Sequence, residues 1–156
     1  MKYQCPLLAV KDLEVSKQFY KEVLGLKIIL DFGANVTLTG GVALQTIETW
    51  SEFLQKGQDE IRFCGNDTEI CFEEDDFDGF IKKLEALGSI TYVHPVFEHR
   101  WGQRVVRFYD LDGHLIEVGE EMRMVVNRFL SSGMSLDEVS KKMDVSVEDL
   151  KKLLHQ

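Results

Sequence analysis

The sequence is poor in the residues that mark disulfide-bonded, zinc-binding or membrane proteins. Its 156 residues include only two prolines and three cysteines, Cys5, Cys64 and Cys71. An odd cysteine count without a CxxC pair argues against a disulfide framework or a zinc knuckle. No apolar run approaches the roughly 18 residues that a membrane span needs, and the N-terminus lacks a signal-peptide pattern. We therefore expect a cytoplasmic protein that does not enter the membrane.

Basic residues are also scarce. The chain has 18 Lys and Arg against 27 Asp and Glu, a formal net charge of −9. Nucleic-acid binding calls for a basic face, so a DNA or RNA partner is not expected. A hydrophobic fraction of 44% suits one compact domain, or two half-domains that share a core.

The most informative stretch is 101–119, WGQRVVRFYDLDGHLIEVG. It predicts two strands joined by a tight turn, in which Gly113 takes a positive φ and Asp110 and Asp112 accept hydrogen bonds from nearby backbone N–H groups. Apolar residues alternate with polar ones in the second strand. Glu117 is therefore a carboxylate in the middle of a strand that otherwise looks buried.

The chain repeats the order strand, helix and three strands. The first copy predicts strands over 2–10, 26–32, 35–39 and 42–47 and a helix over 13–24. The second predicts a strand over 68–72, a helix over 77–87, a strand over 90–93, a loop at His94-Pro95 and the two strands described above. Both helices end on Leu-Gly, and each last strand follows a glycine and carries a polar residue four places later, Gln45 and Glu117. Two such units can form one cupped sheet, with helices outside and a concave pocket inside.

The segments 8–26, LAVKDLEVSKQFYKEVLGL, and 101–120, WGQRVVRFYDLDGHLIEVGE, closely resemble the vicinal oxygen chelate superfamily of glyoxalase, bleomycin-resistance and extradiol dioxygenase proteins. The resemblance implies an α+β fold of two βαβββ modules in a cupped mixed sheet, often completed as a homodimer around a small-molecule pocket. It implies a glyoxalase-like domain over 1–120, with modules at about 1–47 and 68–119, a linker at 48–67 and a helical extension over 121–156.

Many members of this superfamily hold a divalent ion on the first and last strands of each module. The matching positions here are Cys5, Gln45, Glu69 and Glu117, where glyoxalase-like members usually have His or Gln, Glu, His and Glu. Only Glu117 matches, so glyoxalase I activity itself is not expected. A thiolate beside carboxylates suits no common divalent ion well. Gln45, Glu69 and Glu117 could still bind Mn²⁺, Mg²⁺ or Ca²⁺, and Ni²⁺ and Zn²⁺ are further candidates.

A metal-free alternative remains open. Arg107 has the strand parity to face the same cavity, and a bridge from Arg107 to Glu69 or Glu117 would satisfy the carboxylates without an ion. Trp101 is predicted either to stack on a flat substrate or to cap the sheet edge. Arg104 or Arg107 is predicted to hold an anionic group of the substrate.

Four other residues are given structural interpretations. His94 is expected in a loop and His114 is expected to face solvent. Cys5 and Cys71 are interpreted as small buried hydrophobic residues, as free cysteines commonly are.

The tail from Glu120 resembles a short helix-turn-helix unit. A helix is predicted over 122–130, followed by two short helices capped by Ser135 and Ser146, with Glu138 and Asp149 in capping-box positions. The segment has six Lys and Arg against seven Asp and Glu and so offers no basic face. Packing against the domain or a partner subunit is favoured over DNA binding.

The candidate site residues and the family resemblance support two hypotheses about function. In the first, the protein is a metal-assisted lyase or isomerase in which Glu117 is a ligand and Glu69 a ligand or general base. In the second, it is a binding protein of the antibiotic-resistance type, which captures an aromatic or anionic compound without metal.

Overall fold

The computed structural model describes residues 1–155 and confirms the α+β class. The chain forms two compact units. The first contains Met1–Thr68 and Tyr109–Leu115, and the second contains Glu69–Phe108 and the chain from Ile116 onward. Each unit has its own four-stranded sheet.

The first unit follows the predicted order of elements. They are β1 (Leu7–Val10), α1 (Leu13–Leu24), β2 (Ile28–Asp31), β3 (Asn35–Leu38), β4 (Ala43–Thr46) and α2 (Ile47–Leu54). The strand order is β1-β4-β3-β2, in which β1 and β4 are parallel and the other pairs antiparallel. As predicted, α1 begins at Asp12, whose side chain accepts from the Val15 N–H, and ends at Gly25, whose φ is 69°.

The Asp-Leu-Asp-Gly turn belongs to this unit and is built around Asp110. As predicted, Asp110 Oδ1 accepts from the Asp112 N–H at 3.0 Å, and it also accepts from the His114 N–H at 2.8 Å. The buried Tyr20 hydroxyl donates to Asp110 Oδ2 at 2.9 Å. Asp112 differs from the prediction, because its carboxylate accepts from the Lys11 N–H rather than from the turn. The turn is thus held by contacts from distant parts of the chain.

His114 does not face solvent, so that prediction was wrong. Its side chain is half-buried, with Nδ1 2.8 Å from Asp110 Oδ2 and the ring edge-on to Phe63 at 5.8 Å. Burial opposes ionisation of Asp110, but the hydrogen bonds and charge of His114 outweigh it and lower the pKa of that carboxyl group.

The second unit repeats the pattern and adds helices. Its elements are β5 (Glu69–Glu74), α3 (Phe77–Leu87), β6 (Thr91–Glu98), β7 (Arg104–Tyr109), β8 (Leu115–Glu120), α4 (Met122–Ser131), α5 (Leu136–Met143) and α6 (Val147–Leu154). The strand order is β5-β8-β7-β6. Ile116 and Val118 on β8 are buried, as their alternation with Glu117 predicted.

The strand β6 is longer than expected. The strand was predicted to end at Val93, before a loop at His94-Pro95, but β6 continues to Glu98. Proline cannot donate a backbone hydrogen bond, and it is tolerated here because β6 lies at the edge of the sheet. The prediction of a loop at His94 was wrong.

The C-terminal helices α4, α5 and α6 share a hydrophobic cluster formed by Val125, Val126, Phe129, Val139, Met143 and Leu150. Ser135 and Glu138 form the predicted capping box of α5, and Ser146 caps α6. Among the described helices, none is long and apolar enough to cross a membrane.

Candidate functional site

Three neighbouring strands of the second unit bring Glu69, Arg107 and Glu117 together. Glu69 comes from β5, Glu117 from the adjacent β8, and Arg107 from β7 on the other side of β8. Arg107 Nε donates to Glu69 Oε2 at 2.9 Å, and Arg107 Nη2 forms an ion pair with Glu117 Oε2. The bridge given above as the metal-free alternative is therefore present, and we call these three residues the Arg107 triad.

The ion pair between Arg107 and Glu69 stabilises the charged forms of both residues. The hydrogen bond from Arg107 lowers the pKa of Glu69, against the opposing effect of burial. The hydrogen bond to Glu69 and the nearby charge of Glu117 raise the pKa of Arg107, again against burial. The guanidinium and the Glu69 carboxylate are both charged at neutral pH.

Cys71 also reaches this site, and it is exposed rather than buried. The prediction that it packs as a small hydrophobic residue was wrong, because Cys71 shares with Glu69 the exposed face of β5. Ligand atoms of Glu69, Cys71 and Glu117 lie within 4.8 Å of one another. Burial, followed by the two carboxylate charges, raises the pKa of the Cys71 thiol and keeps it protonated. Sequence reasoning missed this residue, although the two-residue period of β5 could have shown it.

A cavity of about 440 Å³ opens beside Arg107 and is bounded mainly by β6. Its lining residues are His94, Pro95, Val96, Phe97, His99 and Arg107. The rings are in mutual contact, with Phe97 edge-on to His94 at 6.2 Å and edge-on to His99 at 5.1 Å. We call this cavity the β6 pocket. Both His94, which was expected only as a loop residue, and His99 line it.

Trp101 contacts a lining residue of this pocket without lining it, whereas Arg104 contacts Glu120 and Asp78. The Trp101 ring stacks on His99 at 4.1 Å with an interplanar angle of 9°, and it packs against the hydrophobic cluster of the C-terminal helices. Arg104 donates to both oxygens of Glu120 and to Asp78 Oδ1. A substrate-binding role for Trp101 or Arg104 remains a prediction.

The family of the chain is decided by a family model. Residues 3–123 match the model of the glyoxalase-like domain. The chain belongs to this family. It is thereby placed in the vicinal oxygen chelate superfamily, as the two sequence motifs indicated.

Several solved structures are similar in fold to this glyoxalase-like chain. A protein of unknown function from Agrobacterium tumefaciens is 34% identical with a TM-score of 0.67, covering 77% of this chain and 94% of that one. A lactoylglutathione lyase from the same species is 26% identical with a TM-score of 0.59, covering 78% and 94%. The fosfomycin resistance protein FosX from Listeria monocytogenes, 19% identical with a TM-score of 0.56 over 77% and 93%, shares the fold. A comparison with curated proteins finds no match.

Glyoxalase-like proteins commonly hold a divalent ion, and Glu69, Cys71 and Glu117 are the possible ligand group here. As arranged, these residues do not fit one. The Arg107 guanidinium already supplies the positive charge between the two carboxylates. The third donor is a thiol, and a thiol and carboxylates prefer different metals. The geometry is that of an ion-pair cluster in which one guanidinium bridges two carboxylates.

The other two predicted ligands, Cys5 and Gln45, belong to the first unit. Gln45 is only 3% exposed. Its Oε1 accepts from Asn35 Nδ2 at 2.8 Å, and its Nε2 donates to the Thr49 hydroxyl. Cys5 is half-buried and precedes β1. The side-chain oxygen of Gln45, its only hard donor, is already engaged.

Proposed function

We propose that this glyoxalase-like protein binds a flat aromatic compound, uncharged or cationic, in the β6 pocket without a bound metal ion. The observation that carries the proposal is the double ion pair of Arg107 with Glu69 and Glu117. It places the guanidinium beside the pocket against one oxygen of each carboxylate.

The charge of the ligand follows from this pairing. Two carboxylates against one guanidinium leave a formal excess of one negative charge at the Arg107 triad. An anionic ligand would have to compete with two carboxylates for Arg107 and would be repelled by them. A neutral or cationic ligand faces neither cost. This argues against the anionic ligand that Arg104 and Arg107 suggested from sequence.

The residues that line the β6 pocket favour an aromatic ligand. Phe97 and His99 supply ring faces and edges, and Pro95 and Val96 supply apolar contact. Aromatic rings prefer edge-to-face or offset-stacked contacts with centroids about 4.5–7 Å apart. A volume of about 440 Å³ lies within the range of small-molecule sites.

A metal-assisted lyase or isomerase is the second candidate. It is favoured by the clustering of Glu69, Cys71 and Glu117 and by the likeness to a structure named lactoylglutathione lyase. In this candidate Glu117 is a ligand and Glu69 a ligand or general base. It requires Arg107 to leave both carboxylates, so the metal content of the purified protein separates the two candidates.

The experiment uses untagged protein and three naphthalene probes of matched shape. Binding of 2-naphthol, 2-naphthylmethylammonium and naphthalene-2-sulfonate is measured by calorimetry, with and without EDTA, after elemental analysis. We expect less than one metal equivalent, binding of the first two probes regardless of EDTA, and weak binding of the sulfonate. Retention of one divalent ion per chain together with EDTA-sensitive binding would favour the lyase.

A matched pair of variants localises the binding. Phe97→Ala removes a ring from the pocket, whereas Phe53→Ala removes an exposed ring on α2 in the other unit. We expect Phe97→Ala to weaken 2-naphthol binding about tenfold, since loss of an aromatic contact costs about 1–1.5 kcal/mol, and Phe53→Ala to have no effect. Equal effects from the two variants would place the site elsewhere.

We also propose that the protein is a homodimer. The edge strand β2 exposes Ile28, Ile29 and Leu30, and Phe32 follows it at 72% exposure. Exposed apolar edge strands commonly mark a protein interface. Sedimentation should give the mass of two chains for the wild type and of one chain for Leu30→Lys. A monomeric wild type would contradict this proposal.

A further inference from the structure

The C-terminal helix α4 packs against the turn that carries His99 and Trp101. Gly102 has a φ of +92°, and a Cβ atom at this position would lie 2.1 Å from Cζ of Phe129. Only glycine allows this approach, because any side chain would overlap the ring and is disfavoured at this φ. The backbone at residue 102 is therefore in direct contact with an aromatic ring of α4.

Arg128 makes a second contact with the same residue. Its Nη2 donates to the Gly102 carbonyl oxygen at 2.5 Å and to Glu120 Oε2 at 2.9 Å. Glu120 is 4% exposed and also accepts from Arg104 on β7. The guanidinium of Arg128 is thus anchored to the sheet while it holds the turn. We call the contact of Arg128 and Phe129 with Gly102 the α4 brace.

The turn at Gly102 is connected to His99, a residue that lines the β6 pocket. The Gly102 N–H donates to the His99 carbonyl oxygen at 2.7 Å, and the His99 N–H donates to the Gln103 carbonyl oxygen at 2.9 Å. The Trp101 indole stacks on the His99 ring and packs against the helical cluster that contains Phe129. His99 in turn lines the β6 pocket. Backbone bonds and a ring stack therefore connect α4 to a ligand-facing side chain.

We propose that the α4 brace is a positioning element of the binding site, which sets the orientation of His99 through Gly102 and Trp101 and thereby tunes ligand affinity. Most of helix α4 lies beyond the family model, which ends at residue 123. The extension is accordingly part of the site of this particular chain. The ligand readout rests on the proposed function, whereas the Trp101–His99 stack can be measured without any ligand.

The first test reads the stack by fluorescence. The sequence has two tryptophans, so Trp50→Phe leaves Trp101 as the sole reporter. In that background, His99→Ala defines the emission of the unstacked indole. We expect Phe129→Leu and Arg128→Met to shift the Trp101 emission and lifetime toward that reference value. Arg123→Met, on the same helix but paired with Glu121, is the matched control and should leave the emission unchanged.

The second test measures 2-naphthol affinity in the same variants by calorimetry, below their unfolding midpoints. We expect affinity to fall about fivefold in Phe129→Leu and Arg128→Met, to be partly restored in Arg128→Lys, and to be unchanged in Arg123→Met. If Arg128→Met does not fold, Phe129→Leu, which keeps most of the apolar volume, carries the test.

Different failures have different meanings. Unchanged Trp101 emission in a folded Phe129→Leu variant overturns the brace, as does changed emission with unchanged 2-naphthol affinity. If the wild type binds none of the naphthalene probes but the emission shifts as expected, the proposed function fails, while the control of the His99–Trp101 stack by α4 stands.

Discussion

The two modules place a polar pair at the same point of their last two strands. In the first module the pair is Asn35 on β3 and Gln45 on β4, and in the second it is Arg107 on β7 and Glu117 on β8. Asn35 precedes Gln45 by the same number of residues as Arg107 precedes Glu117. The first pair is neutral and its Gln45 is 3% exposed, whereas the second is charged and partly open to solvent.

The difference shows what each module can do with the same strand positions. Amide groups satisfy one another by hydrogen bonds and can be buried at little cost. Charged groups resist full burial, so the second pair remains at a surface with the β6 pocket beside it. The repeat has thus buried one polar pair as a neutral contact and left the other charged and partly exposed.

The largest expected effect comes from giving the first module the charge of the second. Gln45→Glu would bury a carboxylate with only the Asn35 and Thr49 side chains as partners. We expect the free energy of unfolding at pH 7 to fall by about 3 kcal/mol, because a buried charge without a counter-ion is strongly destabilising. Urea denaturation measures this change.

The reverse exchange, Glu117→Gln, is the matched control. Arg107 keeps Glu69 as a partner and the site is half-exposed, so the expected loss is about 1 kcal/mol. Equal losses from Gln45→Glu and Glu117→Gln would mean that burial does not distinguish the two pairs.

The second prediction concerns a variant that lacks the Arg107 guanidinium, the charged group that distinguishes the second module's site from that of the first. Arg107→Met leaves Glu69 and Glu117 facing each other beside Cys71. We expect a loss of about 2 kcal/mol at pH 7, less than for a fully buried pair because the side chains retain some exposure. We also expect Zn²⁺ and Cd²⁺ to bind at least tenfold more tightly than to the wild type, since a cation now replaces Arg107.

Calorimetric titration with the two ions measures this gain. Arg107→Lys retains a positive charge and should bind metal no better than the wild type. If the wild type binds Zn²⁺ as tightly as Arg107→Met, then Arg107 is not what keeps an ion from this site, and the metal-free interpretation is wrong.

Much of this contrast could be predicted from local sequence. The two-residue period of β8 placed Glu117 opposite its buried neighbours, and the same parity brought Arg107 to the same face. The caps of α1, Asp12 and Gly25, were also predicted, because capping depends on a few consecutive residues.

What could not be predicted depends on distant parts of the chain. Pro95 stays within a strand only because β6 is at the sheet edge, and strand order is not a local property. His114 is covered by Phe63, which lies in the linker before the second module. Gln45 is satisfied by Asn35 through the register of β3 and β4. In each of these cases the missing information was a partner from another element.

The smallest expected effect is a difference in pH dependence between the two modules. Arg107 lowers the folded-state pKa of Glu69 below its ordinary value of 4.5. A carboxyl group with a lowered pKa stabilises the fold above its unfolded-state pKa and loses this contribution as the pH falls through the folded-state pKa. We therefore expect Glu69→Gln to be less stable than the wild type at pH 7 and the two to converge below about pH 4.

Gln45→Met, which alters the neutral pair, should show a stability difference from the wild type that stays constant over the same range, because no titrating group is removed. Thermal unfolding of the three proteins between pH 3 and pH 7 measures this. A pH-independent difference for Glu69→Gln would mean that its ion pair with Arg107 contributes nothing to stability in solution.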